Sequence, residues 1–181
     1  MITLHRVECT VAIESKGINV GDKGGFVQSE NNLDRDAWVY GDAKVYGNAE
    51  VSDNARVYGD AEVYGNAEVY GNAEVYGDAR VSDNARVYGD AEVYGNAKVC
   101  GNAKVCDMAA DYIVFKNWWS SGRYFTWTRS NNMWKVGCFY GTGEELIAKA
   151  YKDSEKSGRE YERVVKYVQS ILDDEVKEQQ Q

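Results

Sequence analysis

VYGDAKVYGNAEVSDNARVYGDAEVYGNA, residues 39–67, repeats the unit Val-x-Gly-(Asn/Asp)-Ala-x, and the spacing runs unbroken for twelve hexads. Valine holds the first place from Val39 to Val105, and alanine the fifth from Ala43 to Ala109. A fixed short period describes one stacked unit rather than an ordinary globular core. Side chains alternate sides along an extended strand, so Ala43 and Val45 both point inward while Lys44 points out. Gly41 and Asp42 supply the corner, because glycine takes backbone angles closed to most residues and Asn or Asp tolerates them best after it. Three bends close a triangular coil, and twelve hexads predict four coils in a prism about 20 Å tall.

Folding the hexads onto three faces places Tyr40, Tyr58, Tyr76 and Tyr94 in one outer column. The second column reads Tyr46, Tyr64, Ser82, Cys100, and the third Ser52, Tyr70, Tyr88, Cys106. Lys44, Glu62, Arg80 and Lys98 stack along one face, so that opposite charges can pair between rungs. Residues 51–67 and 81–97 are identical, yet they lie thirty residues apart and so fall on different faces. Hexads that can change faces read as interchangeable parts of a spacer or scaffold.

The hexads resemble those of left-handed parallel β-helices, and the handedness is expected from that resemblance alone. GDKGGFVQSENNL at 21–33 resembles the entry segment of YdcK-type β-solenoid proteins of bacteria and phages, and the likeness continues through AWVYGDAKVYGNA to about residue 110. The stretch lacks the GxxxxGK[ST] spacing of a phosphate loop, so its glycines read as a capping turn. Beyond Asp111 the composition changes. Tyr112–Lys116, Arg123–Arg129 and Met133–Cys138 read as short strands. Thr142 with Glu145 and Ser157 with Glu160 read as capping boxes of two helices. The second helix carries Tyr161, Val164, Val165, Val168, Ile171 and Leu172 on one stripe, and the polar tail from Asp173 to Gln181 is expected to fray. SGRYFTWT and GCFYGTGEELIAKA are similar to segments of C-terminal domains on phage-encoded solenoid proteins. The expected fold is mainly β: an entry segment and cap (1–32), a left-handed hexapeptide solenoid (33–110) and an α+β module with two helices (111–181).

The net charge of −8 arises wholly in residues 1–110, where ten basic side chains face eighteen acidic ones. That balance argues against coating DNA or RNA, which needs a basic face. No secretory leader or membrane-spanning stretch is read, and four cysteines without zinc-type spacing fit reduced thiols in a cytoplasm. The resemblance to left-handed β-helices raises an acyltransferase, whose base is a histidine. The chain's single histidine, His5, lies outside the hexads, and no excursion interrupts them. No catalytic residue, metal site or cofactor is expected.

The richest candidate site lies in 116–135. It holds Trp118, Trp119, Trp127 and Trp134 together with Lys116, Arg123, Arg129 and Lys135, and no acid. Aromatic planes stack bases and arginine grips phosphate with paired hydrogen bonds. The expected ligand set is Trp118, Trp119, Arg123, Tyr124, Trp127, Arg129 and Lys135, holding a small anionic nucleotide without altering it, as a phage protein sequestering an immune signal would. The same tryptophans also suit the core of a small module. A purely structural solenoid remains the competing reading, and the tyrosine columns point to a homotrimer.

Overall fold

The computed structural model describes residues 2–106, 111–117, 119 and 122–178. Ala109, the last alanine of the hexad series, lies outside them. Twelve two-residue strands, β3 (Trp38–Val39) through β14 (Lys104–Val105), recur every six residues. In each, the first side chain faces outward and the valine inward. Every valine from Val39 to Val105 is fully buried, and so, within one per cent, is every alanine from Ala43 to Ala103. Strands three hexads apart pair in parallel, Lys44 beside Glu62, Glu62 beside Arg80 and Arg80 beside Lys98. The result is a β-solenoid of about four coils with three flat faces.

The corners explain the glycines. Gly41 to Gly101 take φ between +62° and +77°, where a side chain is strained. A Cβ on Gly65 would also come within 2.9 Å of the Asp83 nitrogen on the next coil. Two corners use aspartate instead. Asp53 and Asp83 adopt φ of 58° and 63°, and their carboxylates accept hydrogen bonds from the next coil's Gly71 and Gly101 N–H groups. Along the corner that contains Asp83, Asn48, Asn66, Asn84 and Asn102 form a one-way amide ladder at 3.1–3.4 Å.

The rung hydrogen bonds on either side of each two-residue strand run one way. Lys44 N–H donates to Ala61 C=O at 2.9 Å and Tyr46 N–H to Val63 C=O at 3.0 Å, and the pattern repeats down the stack. The prism therefore ends with an excess of carbonyls at its N-terminal edge and of N–H groups at its C-terminal edge, and unpaired backbone groups must find partners. Each end is closed by the opposite chemistry. At the first coil the Asn32 side-chain amide donates to Gly47 C=O (3.2 Å) and Ala49 C=O (2.7 Å). β2 (Lys23–Val27) lies parallel to Lys44–Val45 and antiparallel to β1 (His5–Glu8). Gly24 and Gly25 thus sit in a strand rather than a turn. They are glycine because a Cβ would fall 2.5 Å from Val39 O or 2.6 Å from Ala43 O.

At the last coil the donors meet hydroxyl and carboxylate acceptors. Lys98 N–H donates to Thr126 Oγ1 at 3.0 Å, Lys104 N–H to Ser130 Oγ at 2.7 Å, and Cys106 N–H to the Asp111 carboxylate. These acceptors belong to an antiparallel meander of β15 (Tyr112–Lys116), β16 (Tyr124–Thr128), β17 (Met133–Val136) and β18 (Phe139–Gly141). One face of this sheet covers the prism, with Tyr112 and Val114 packed on the valine core. The other face carries Phe125, Trp127, Trp134 and Val136 against α1 (Gly143–Asp153) and α2 (Glu155–Glu178).

The Thr142–Glu145 capping box opens α1 as expected, with Glu145 Oε2 accepting from Thr142 N–H at 2.9 Å. The second start differs. α2 begins at Glu155, and Ser154 Oγ accepts the Ser157 N–H at 3.1 Å, so Ser154 rather than Ser157 caps it. The tight junction brings Gly158 under the Tyr151 ring, where a Cβ would clash at 2.2 Å. Nor does helix α2 stop at Asp173: it continues to Glu178, tied down by an ion pair between Arg129 and Glu175.

Candidate functional site

The tyrosine columns form as stacks on the prism. Ring centroids lie 4.7 Å apart for Tyr58 and Tyr76, 5.3 Å for Tyr76 and Tyr94, 5.1 Å for Tyr46 and Tyr64, and 5.2 Å for Tyr70 and Tyr88. Tyr40 meets Tyr58 edge-on at 6.4 Å. The hydroxyls are engaged too: Tyr58 donates to Glu74 and Tyr76 to Glu92, both at 2.7 Å. The hydrogen bond to Glu92 is the main cause that pushes the Tyr76 phenol up to about 12; for Tyr46 burial comes first and the Glu62 charge second, with the same result. Between rungs Arg86 pairs with Glu68 at 3.0 Å, Arg56 with Glu74 at 3.3 Å and Arg80 with Glu62 at 3.8 Å. Such exposed pairs contribute a few tenths of a kcal/mol each, roughly.

The aromatic and basic residues of 116–135 divide between the two faces of the C-terminal sheet. Trp118 lies outside the described residues. Trp119 packs on Phe125 and Tyr161, with ring centroids 5.9 and 6.1 Å apart. Trp127 is buried in the helix-facing core, and its indole N–H donates to Asn132 Oδ1 at 2.9 Å. Trp134, its neighbour on β17, is buried beside it. Arg129 makes a two-pronged pair with Glu175 (2.7 and 3.0 Å) and lies 5.8 Å from the centre of the Trp127 ring. Lys135 and Tyr124 belong to the opposite, prism-facing side. Lys135 stands beside Thr126 and Tyr140, and Tyr124 carries the Lys116 ammonium 5.6 Å from its ring centre. Arg123 is exposed at the far end of β16. Of the seven residues expected to act together, the six that are described therefore fall in three places rather than one.

One of those places is concave. Arg123 borders a cleft of about 280 Å³ between the β17–β18 turn and the helices. Its floor is Val136, Leu146 and Ala150; its walls are Phe139 and Tyr161; Lys149 and Asp153 stand at the rim. Burial raises the Tyr161 phenol above its ordinary value, and the nearby Arg123 charge opposes that rise. Lys149, Asp153 and Tyr161 come from α1 and α2 and were not among the expected site residues. Their signal was faint: Lys149 and Asp153 lie four apart, flanking the Leu146–Ala150 stripe.

His5 lies in β1 and lines a separate open hollow with Arg6, Glu8, Ser29 and Glu30. Cys100 is buried beneath Tyr140, and that burial pushes its thiol up to about 11, whereas Cys106 and Cys138 are exposed. Among the described residues no helix is long and apolar enough to cross a membrane.

A family model described as the YdcK Beta solenoid repeat matches residues 73–89 and 79–95, in the middle of the prism. The likeness is one of repeat type. No curated protein and no solved structure matches the chain.

Proposed function

We propose that the chain is a non-catalytic structural solenoid, a rigid capped prism that carries its C-terminal module and assembles as a homotrimer in the cytoplasm. The observation that carries this reading is the equivalence of the two identical segments. Residues 51–67 and 81–97 occupy different faces, yet Asp53 and Asp83 adopt the same left-handed corner and bond to the next coil in the same way. Parts that serve equally on any face suit support rather than chemistry. The stacked column from Tyr58 to Tyr94 supplies a broad apolar surface for a neighbouring copy, with Tyr94 nearly half exposed. Light scattering at micromolar concentration should give the mass of three chains. A single-chain mass would end the assembly reading.

A second reading rests on the cation at the mouth of the cleft. In it the C-terminal module binds a small anionic nucleotide and withholds it unchanged, as a phage protein opposing a bacterial immune signal would. Arg123 supplies charge there, and the Lys116–Tyr124 pair on the sheet's prism-facing side offers a half-buried ring and a second cation nearby in sequence. Calorimetry against cyclic dinucleotides, cyclic oligonucleotides and ADP-ribose derivatives should show micromolar, stoichiometric binding with the ligand recovered intact. Absence of binding below millimolar concentration, or degradation of any ligand, removes this reading.

A further inference from the structure

We propose that the cleft between the β17–β18 turn and helices α1 and α2 is a binding site for a small organic acid, a carboxylate on a compact apolar body. This deepens the ligand-binding reading and rests on it only in taking the module to bind a small anion; it names a different class of ligand. The floor is built for an apolar body. Val136, Leu146 and Ala150 are almost wholly buried beneath the cleft, and Phe139 and Tyr161 close its sides. A volume of about 280 Å³ suits an aromatic ring or a short aliphatic chain better than a dinucleotide.

The mouth is built for an anion. Two cations, Arg123 and Lys149, face one carboxylate, Asp153, and among the described residues neither cation forms an ion pair within 4.0 Å. Arg123 also has close neighbours. Burial pushes the Tyr161 phenol up, and the guanidinium's charge opposes that push. The turn beneath Arg123 is Gly137, with φ of 57°, and a Cβ there would touch the arginine Cδ at 3.4 Å and Nε at 3.6 Å. The guanidinium has five N–H donors that can meet a carboxylate in paired geometry. Lys149, one turn of helix before Asp153, adds a second charge at the rim.

The chain carries its own reporter. Cys138 is exposed and lines the cleft, while Cys106 is exposed on the prism and serves as an internal control. Phenylacetate and hexanoate should slow alkylation of Cys138 by iodoacetamide without slowing that of Cys106. Phenylacetamide, equal in shape but uncharged, should protect much less. Arg123→Ala should weaken phenylacetate binding about tenfold or more, the loss expected of a charge-assisted hydrogen bond. Lys149→Ala, a change on an exposed helix face, should weaken it several-fold while leaving the fold intact. Equal protection by acid and amide overturns the proposal, as does protection that survives both substitutions. Protection by a nucleotide but by neither carboxylate overturns it and leaves the nucleotide reading standing. Protection by the carboxylates with silent nucleotide calorimetry upholds it and removes the other.

Discussion

Val75 touches only other apolar side chains of the interior, fully buried between Val57 and Val93 on neighbouring rungs. Val75→Asp sets a carboxylate among methyl groups with no cation or donor to meet it, since every backbone group beside it is already committed to a rung. The expected cost is at least several kcal/mol, roughly, enough to unfold the prism or force the acid to stay protonated. Thermal unfolding followed by circular dichroism checks this, and a soluble variant of unchanged midpoint would contradict the inward placement. The corner residues obey a different constraint. Asp53 and Asp83 take a glycine's place because aspartate tolerates the left-handed backbone and its carboxylate bonds the next coil.

Among the elements, the C-terminal sheet is defined by what it must satisfy. Thr126 Oγ1 is the acceptor for a backbone N–H that ends its ladder, so Thr126→Val keeps the shape and removes the acceptor. An unpaired donor in that buried seam should cost about 1–3 kcal/mol. Hydrogen exchange should show the Lys98 amide losing protection while amides two coils away keep theirs; uniform loss would mean the seam is not local. The repeat strands and β15 were legible in the sequence, because alternation and period are local properties of the chain. β18 was not, since Phe139–Gly141 is too short to show alternation and owes its form to pairing with β17. The second cap was misplaced by three residues because Gly158 lies under Tyr151, a contact that spacing does not reveal. The candidate site was the least legible part. A sheet covered on both faces buries alternate residues against different partners, so composition could not say that Trp127 faces the helices while Lys135 faces the prism.

At the level of the whole molecule, interchangeable hexads make length an adjustable property. Deleting residues 57–74 joins Arg56 to Val75 and removes one coil while keeping each column in register and both caps in contact with their own coils. That variant should fold with a modestly lower midpoint and retain its β-rich circular dichroism. Deleting residues 57–75 instead shifts later valines by one place, from inward to outward positions, and should abolish cooperative folding. Failure of the first deletion would show that individual coils are not equivalent. The prism also has a kinetic character. Each rung pairs residues eighteen positions apart, about a tenth of the chain, whereas β proteins usually join more distant segments. Loop closure is therefore short and constant at every step. A coil already formed offers its row of N–H groups as the template for the next. Unlike most sheets of its size, this one should assemble at speeds closer to those of helical bundles.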